Sequence, residues 1–217
     1  MAHAHVKAKI VIAAVMNNLK FDDFDLELKE YAKENKVPII FDEGLAFLET
    51  IIRLYKPKRI LEIGTAIGYS AIRMHKVCNS EIYTIERSEE MYNIASKNIV
   101  KASCQDDIHI IFNDALLAYD LVANMEFDMI FIDAAKAQYM KFFDLYTPLL
   151  ANGGIVVCDN MLFHGLVNDK EHYQEQSRSV RGLIRKLSSF HDALLSNDNY
   201  HTSIFDIGDG MSVSIKK

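Results

Sequence analysis

Five short apolar runs, each followed by a segment with helical periodicity, constrain the fold of this chain more than any other feature. The runs recur at near-regular intervals at residues 59–63, 81–85, 108–112, 128–132 and 155–158. Runs that are apolar on both faces and alternate with helices are typical of a parallel sheet covered by helices on both sides. The sequence therefore predicts a doubly wound α/β domain.

The two ends of the chain follow different patterns. Two C-terminal runs, 203–207 and 211–215, are separated by a short turn with two glycines, which predicts an antiparallel hairpin. Near the N-terminus, residues 22–36 and 42–55 carry apolar side chains at helical spacing. We predict one domain over residues 1–217, in which an N-terminal helical segment (1–57) precedes the α/β core (58–217).

The carboxyl ends of the first three predicted strands carry residues that suit a nucleoside ligand. The first strand runs into EIGTAIGYS at 62–70, the second ends at Glu86, and Asp114 follows the third. A dinucleotide fingerprint has a second glycine where this chain has Ala66, so a pyrophosphate is disfavoured. S-adenosylmethionine has a ribose and an adenine but no pyrophosphate, and Glu86 is placed to accept its ribose hydroxyls. For the glycines alone, a plain strand-to-helix turn is the alternative.

The fourth and fifth predicted strands end in a second group of oxygen-bearing side chains. Asp133 follows the fourth strand, and Asp159 and Asn160 follow the fifth. If these strands are neighbours, two carboxylates and an amide oxygen converge, a ligand set that suits Mg²⁺. The alternative is that Asp133 caps a helix and that Asp159 and Asn160 form a polar turn.

A divalent cation beside a methyl donor has a definite chemical use. It can bind a substrate hydroxyl together with a neighbouring oxygen, make the hydroxyl more acidic and aim it at the methyl group. Lys136 lies three residues after Asp133, where nearby positive charge favours its neutral amine, and this amine could act as a general base. An ordinary solvated lysine is the alternative.

Three ordered strings, EIGTAIGYS (62–70), FIDAAK (131–136) and CDN (158–160), resemble the metal-dependent class I O-methyltransferases of the catechol and caffeoyl-CoA group. The resemblance implies a Rossmann-like, mostly parallel sheet of seven strands with an antiparallel C-terminal hairpin. It implies a metal at Asp133, Asp159 and Asn160, with Asp133 and Lys136 as catalytic residues. The S-adenosylmethionine contacts that it implies are Glu62, Gly64, Ser70, Glu86, Asp114, Ala115 and Asp133.

Longer strings, such as YAKENKVPI (31–39) and DNMLFHGLV (159–167), resemble one branch of that family, the bacterial tRNA 5-hydroxyuridine methyltransferases. This resemblance implies Ile40 as a further cofactor contact, a homodimer, and 5-methoxyuridine at the tRNA wobble position as product. The 5-hydroxyl and 4-carbonyl of 5-hydroxyuridine are vicinal oxygens, so one Mg²⁺ can chelate both, as in a catechol. Phe163 and His164 are candidates for stacking on the base. A small-molecule catechol or caffeoyl-CoA methyltransferase is the alternative, and a nucleotide-binding module without catalysis is a third.

The charge of the chain is unevenly distributed. There are 24 Lys and Arg against 30 Asp and Glu, a net charge of -6, which argues against wholesale coating of a nucleic acid. Residues 177–190 nevertheless hold four cations and no acid, at spacings of three to four residues: Arg178, Arg181, Arg185 and Lys186. We predict that this basic helix contacts the anticodon loop of tRNA; a solvated helix face is the alternative. Residues 21–34, by contrast, hold six acids.

Cysteines and apolar runs bear on the compartment. The three cysteines are widely spaced and form no CxxC pair, and the longest apolar run near the start, residues 10–16, is too short to cross a bilayer. No signal peptide is recognisable. We expect a cytoplasmic protein that does not bind membranes.

Overall fold

The computed structural model describes residues 19–163, 165–167 and 172–217. His164, one of the two candidate stacking residues, lies outside them. In the described part of the chain, no helix is both long enough and apolar enough to cross a membrane.

Seven strands form one sheet in the order β3-β2-β1-β4-β5-β7-β6. They are β1 (Arg59–Ile63), β2 (Glu81–Glu86), β3 (Ile108–Phe112), β4 (Phe127–Ile132), β5 (Leu150–Cys158), β6 (Tyr200–Phe205) and β7 (Met211–Lys216). Strand β7 is antiparallel to its neighbours β5 and β6, and the other pairings are parallel. The predicted α/β fold with an antiparallel C-terminal hairpin is confirmed.

Helices cover both faces of the sheet. They are α1 (Asp23–Glu34), α2 (Asp42–Tyr55), α3 (Tyr69–Cys78), α4 (Glu89–Lys101), α5 (Tyr119–Val122), α6 (Tyr139–Tyr146) and α7 (Arg178–Leu195). Helices α1 to α4 pack on one face and α5 to α7 on the other. Consecutive strand residues therefore enter opposite cores: Ile60 of β1 faces the first, and Leu61 the second. Burial on both faces explains why the strands read as continuous apolar runs.

The boundaries of two predicted strands were wrong. Strand β5 begins at Leu150, five residues before the predicted start, and its register with β4 shifts between Phe127 and Met129. Gly153 and Gly154 lie inside this irregular stretch, and glycine is atypical of a strand interior, so the sequence predicted a later start. Strand β6 occupies Tyr200–Phe205 instead of 203–207, because the hairpin closes with Phe205 opposite Met211.

The acidic helix α1 is attached to the core by ion pairs. Arg73 of α3 is buried and lies 2.5 Å from a carboxylate oxygen of Asp25, and its Nε donates to Glu49 of α2 at 3.0 Å. Lys76 pairs with Asp22 and Asp25 at 2.7 and 2.8 Å. The sequence left the role of this segment open. In the structure, its acids neutralise cations of the core.

Candidate active site

The strand order brings the predicted site residues to one edge of the sheet. Strand β1 lies between β2 and β4, and β5 lies beside β4, all of them parallel. Their carboxyl ends are therefore adjacent, as expected for a ligand site in an open α/β sheet. Glu86, Asp133 and Asp159 come from three of these strand ends.

The turn after β1 is pressed against Asp133. Gly64 has a φ of +103°, and a Cβ atom added there would lie 2.1 Å from the carbonyl oxygen of Asp133. The Gly64 amide donates to the Ile85 carbonyl at 3.1 Å, and the Asp133 amide donates to Ile63 at 3.0 Å. Only glycine fits here, both for the conformation and for the close approach. The turn with the cofactor signature thus touches the first of the predicted metal ligands.

A cavity of about 210 Å³ lies at the ends of β1, β2 and β3. Four of the predicted cofactor residues line it: Gly64, Glu86, Asp114 and Ala115. The Glu86 carboxylate accepts from the amides of Ala66 (2.9 Å) and Ser88 (2.8 Å), which hold it at the cavity wall. Each of its oxygens can accept a further bond, so ribose hydroxyls can still be bound.

Phe142 and Gln138 also line this cavity, although neither was predicted as a cofactor contact. Gln138 lies in the segment that follows β4, and Phe142 lies on α6. Their apolar and amide groups fit the faces and edges of a purine, but such residues carry no motif that a single sequence reveals. We refer to this space as the nucleoside cavity.

Glu62 and Ser70 meet beneath the turn and do not line the nucleoside cavity. Glu62 is fully buried and accepts from Ser70 Oγ at 2.5 Å and from Thr84 Oγ1 at 2.6 Å. Burial raises the pKa of Glu62 to about 8, although both hydrogen bonds oppose the shift. The predicted pair is therefore in contact and supports the cofactor turn from below.

Asp133, Asp159 and Asn160 form the predicted oxygen-bearing triad. The amide nitrogen of the Asn160 side chain donates to Oδ1 of Asp133 at 3.2 Å, and the Asn160 backbone amide donates to Oδ1 of Asp159 at 2.6 Å. Burial, together with the charge of Asp133, raises the pKa of Asp159 to about 8, and burial also raises the pKa of Asp133. Because the charge of Asp133 disfavours the charged form of Asp159, positive charge beside the two carboxylates would stabilise them.

The donor set of this triad fits a hard divalent cation. Two carboxylates supply oxygen, and a 180° rotation of the Asn160 amide presents a third oxygen. Among the described residues no cluster of three His, Cys, Asp or Glu side chains has metal-binding geometry. The third donor of the triad is an amide, so the triad is not a cluster of that kind.

A second, larger cavity of about 960 Å³ opens beside the triad. Asp133, Asp159, Asn160 and Lys136 line one side, and the segment between α1 and α2 lines the other. Ile40, predicted as a cofactor contact, lines this cavity and not the nucleoside cavity. Lys136 Nζ lies 5.9 Å from the ring centroid of Phe163. We call this space the substrate cavity.

The four cations predicted to bind RNA all lie on α7 or at its start. Arg178, Arg185 and Lys186 are exposed. The Arg181 guanidinium donates from one nitrogen to the carbonyls of Gln174 and Gln176 at 3.0 and 3.1 Å. These hydrogen bonds attach the segment before α7 to the helix.

Comparison with known proteins agrees with this geometry. A family profile described as O-methyltransferase matches residues 14–217. The caffeoyl-CoA O-methyltransferase of Populus kitakamiensis is 30% identical over 191 residues, 85% of this chain and 80% of that protein. A Staphylococcus aureus structure described as a caffeoyl-CoA O-methyltransferase has a TM-score of 0.87 and 37% identity, covering 98% of this chain and 100% of the other.

A structure of a Podospora anserina methyltransferase with S-adenosylhomocysteine (SAH) bound is also similar, with a TM-score of 0.83 and 26% identity. The alignment covers 97% of this chain and 95% of that one. The fold, the nucleoside cavity and these relatives lead to one family. The chain belongs to the S-adenosylmethionine-dependent class I O-methyltransferases of the caffeoyl-CoA and catechol type.

Proposed function

We propose that this enzyme methylates the 5-hydroxyl of 5-hydroxyuridine at the wobble position of tRNA and so produces 5-methoxyuridine. The observation that carries the proposal is the placement of the triad and Lys136 together on the wall of the substrate cavity. At about 960 Å³ this cavity is at the upper end of the range for small-molecule sites. It therefore has room for a nucleotide swung out of an RNA loop.

The proposed substrate matches the triad chemically. Its 5-hydroxyl and 4-carbonyl are vicinal oxygens, as in a catechol. We propose that Asp133, Asp159 and Asn160 hold Mg²⁺ or another divalent cation, which when bound makes the hydroxyl more acidic and fixes its direction. Gly64 presses the cofactor turn against Asp133, so the methyl donor and the metal ligands lie side by side. This proximity is what an in-line transfer needs.

Lys136 is the proposed general base. Its neutral amine takes the proton of the 5-hydroxyl, and the resulting oxyanion attacks the methyl carbon of the sulfonium. One C–O bond forms as the C–S bond breaks, and S-adenosylhomocysteine and 5-methoxyuridine are the products. Lys136 lines the same cavity as the triad, which supports this role for its amine.

An anticodon loop also suits the rest of the molecule. A wobble base is unpaired and can be splayed into a pocket at modest unstacking cost. The basic helix α7 presents exposed Arg178, Arg185 and Lys186, and RNA needs such contacts with its phosphates. The strings at 31–39 and 159–167 support the same substrate by resemblance. That resemblance also leads us to propose a homodimer, which light scattering of the purified protein tests by mass.

Replacing Lys136 by methionine should lower the turnover of hypomodified tRNA about a hundredfold, the usual contribution of a general base. The affinity for S-adenosylhomocysteine should change little, because Lys136 does not line the nucleoside cavity. The pH dependence of kcat in the variant should differ from that of the wild-type enzyme. Lys97→Met, an exposed lysine on α4, is the matched control. If Lys136→Met kept the wild-type dependence of kcat on pH, Lys136 would not be the general base.

The substrate can be tested in cells. Nucleosides from digested tRNA of a strain that lacks this gene should contain 5-hydroxyuridine where the parent strain has 5-methoxyuridine. Mass spectrometry distinguishes the two, and complementation with the gene should restore the methoxy form. Unchanged 5-methoxyuridine in the deletion strain would refute the proposed substrate.

A small-molecule catechol or caffeoyl-CoA type O-methyltransferase is the second candidate. The names of the relatives favour it, since the Populus protein is a caffeoyl-CoA O-methyltransferase and the Staphylococcus protein is described in the same way. The triad would chelate a catechol as readily as 5-hydroxyuridine. This candidate predicts turnover of free catechols or caffeoyl-CoA with kcat/KM well above that for hypomodified tRNA.

A further inference from the structure

A third cavity, of about 500 Å³, lies between α7 and residues 136–141, which include the end of the β4–α6 connection and the first turn of α6. Four cations line it, two from each side: Lys136 and Lys141, and Arg185 and Lys186. No carboxylate is among its lining residues. We call it the cationic cleft. The sequence indicated the α7 cations as RNA contacts but gave no sign of Lys141.

The wall that α7 contributes is one face of the helix. Gly182, Arg185, Lys186 and Ser189 follow the i, i+3, i+4, i+7 spacing of a single stripe. A neighbouring face of the helix is buried, and its Phe190 contacts the rings of Tyr139 and Phe143 of α6 edge-on, with centroids 5.9 Å apart in both pairs. The two walls are therefore fixed relative to each other by packed aromatic side chains. The cleft is preformed.

Three of the four cleft cations have no ion-pair partner among the described residues, whereas Lys136 lies near Asp133 and Asp159. Within residues 19–163, 165–167 and 172–217, Lys141, Arg185 and Lys186 make no ion pair, whereas Arg73 and Lys101, for example, do. Like charges around one concave space repel each other and raise the local positive potential. An anionic ligand would relieve this repulsion.

Gly182 leaves open space in the wall of the cleft. It lies inside α7, where glycine is destabilising relative to alanine. A Cβ atom at this position would meet no other atom within 4 Å, so packing does not require the glycine. Its φ is not in the left-handed region, so the backbone does not require it either. The absent side chain leaves the cleft wall open to a group that approaches the helix backbone.

The cationic cleft adjoins the proposed reaction site. Lys136 lines both the cleft and the substrate cavity. We propose that the cationic cleft binds phosphodiester groups of the RNA strand that carries the target nucleoside, next to the nucleotide that enters the substrate cavity. Lys141, Arg185 and Lys186 are the phosphate contacts, and Gly182 gives the strand room. The proposal rests on the tRNA function above.

The triple variant Lys141→Ala, Arg185→Ala, Lys186→Ala tests the cleft. Its KM for hypomodified tRNA should rise about tenfold or more, while kcat changes less than about twofold, since phosphate contacts serve binding. The slope of log affinity against log salt should fall by at least about 0.7, the value for one single-strand phosphate contact. The control removes the same charge elsewhere, from the exposed Lys20, Lys58 and Lys97. An unchanged KM and salt slope in the cleft variant would overturn the proposal.

Gly182→Leu tests the open wall without changing charge. A Cβ atom at this position meets open space, so we expect the variant to fold with an unaltered melting temperature or a higher one. Its KM for tRNA should rise, because leucine fills the path of the strand. A folded variant with the wild-type KM would contradict the assignment of the cleft wall.

The experiments distinguish failure of the cleft proposal from failure of the proposed tRNA function. If the wild-type enzyme does not methylate hypomodified tRNA, the proposed function fails, and the cleft proposal with it. If the wild-type enzyme methylates tRNA and the cleft variant is unaffected, only the cleft proposal fails. If the cleft variant loses affinity for caffeoyl-CoA and not for tRNA, the cleft serves the phosphates of coenzyme A, and our assignment to RNA is wrong.

Discussion

Asp159→Ala should lower the rate of methyl transfer about a thousandfold, equivalent to about 4 kcal/mol of transition-state stabilisation. Asp159 is buried, lies beside Asp133, and is one of the two carboxylates in the triad. Without it, the triad cannot hold a divalent cation in the geometry that orients the substrate. Affinity for S-adenosylhomocysteine, measured by calorimetry, should stay within about twofold of the wild-type value, because the nucleoside cavity is separate.

The fold should survive this substitution. The raised pKa of Asp159 means that its charged form is disfavoured in the folded protein without a cation, so alanine removes a source of strain. Exposed Asp106→Ala is the control and should retain full activity. EDTA should reproduce the defect in the wild-type enzyme, and added Mg²⁺ should reverse it. A fully active Asp159→Ala enzyme, or full activity in EDTA, would refute the metal role.

Arg73→Met should lower the free energy of unfolding by about 3–5 kcal/mol, the range seen when one partner of a buried ion pair is removed. Arg73 is the shared partner of Asp25 in α1 and Glu49 in α2, and all three side chains are at most 6% exposed. Methionine fills much of the volume but removes the buried cation that Asp25 and Glu49 share, and leaves them only the more exposed Lys76 and Arg53. Urea unfolding followed by circular dichroism measures the loss.

Arg59→Met is the matched control for Arg73. Arg59 pairs with Glu81 at 2.7 Å, but the two side chains are 40% and 34% exposed, so solvent screens the pair. Its loss should change the unfolding free energy by less than about 1 kcal/mol. Equal effects of the two substitutions would show that the buried network does not hold α1 and α2 on the core.

This network changes the meaning of the net charge of -6. Asp22, Asp25 and Glu27 of the acidic segment pair with Lys76, Arg73 and Lys101 of the core. These three acidic residues thus attach α1 to the core. The basic face of α7 lies on the other side of the sheet, where α6 and α7 pack.

The sequence predicted the parts of the site that lie at strand ends. Glu86, Asp133 and Asp159 follow apolar runs whose length and alternation with helices indicate parallel strands, and parallel strands bring their ends together. Gly64 was identifiable because the turn after the first strand needs a residue that tolerates positive φ and close approach. These are local signals.

Contacts between distant segments were not predictable from one sequence. Arg73 lies on a helix whose apolar spacing gives no sign of Asp25 and Glu49, 48 and 24 residues away. Ile40 belongs to a loop whose direction depends on that docking, and it lines the substrate cavity instead of the nucleoside cavity. Lys141 and Gly182 are unremarkable in sequence. Packing of α6 against α7 places them in one cleft.

The most direct test of the central claim compares substrates for the purified enzyme with S-adenosylmethionine and Mg²⁺. The substrates are tRNA that carries 5-hydroxyuridine, a free catechol and caffeoyl-CoA, and transfer of a labelled methyl group gives kcat/KM for each. Our account predicts the highest kcat/KM for the tRNA, with the label recovered as 5-methoxyuridine. A higher kcat/KM for the catechol or for caffeoyl-CoA would contradict it.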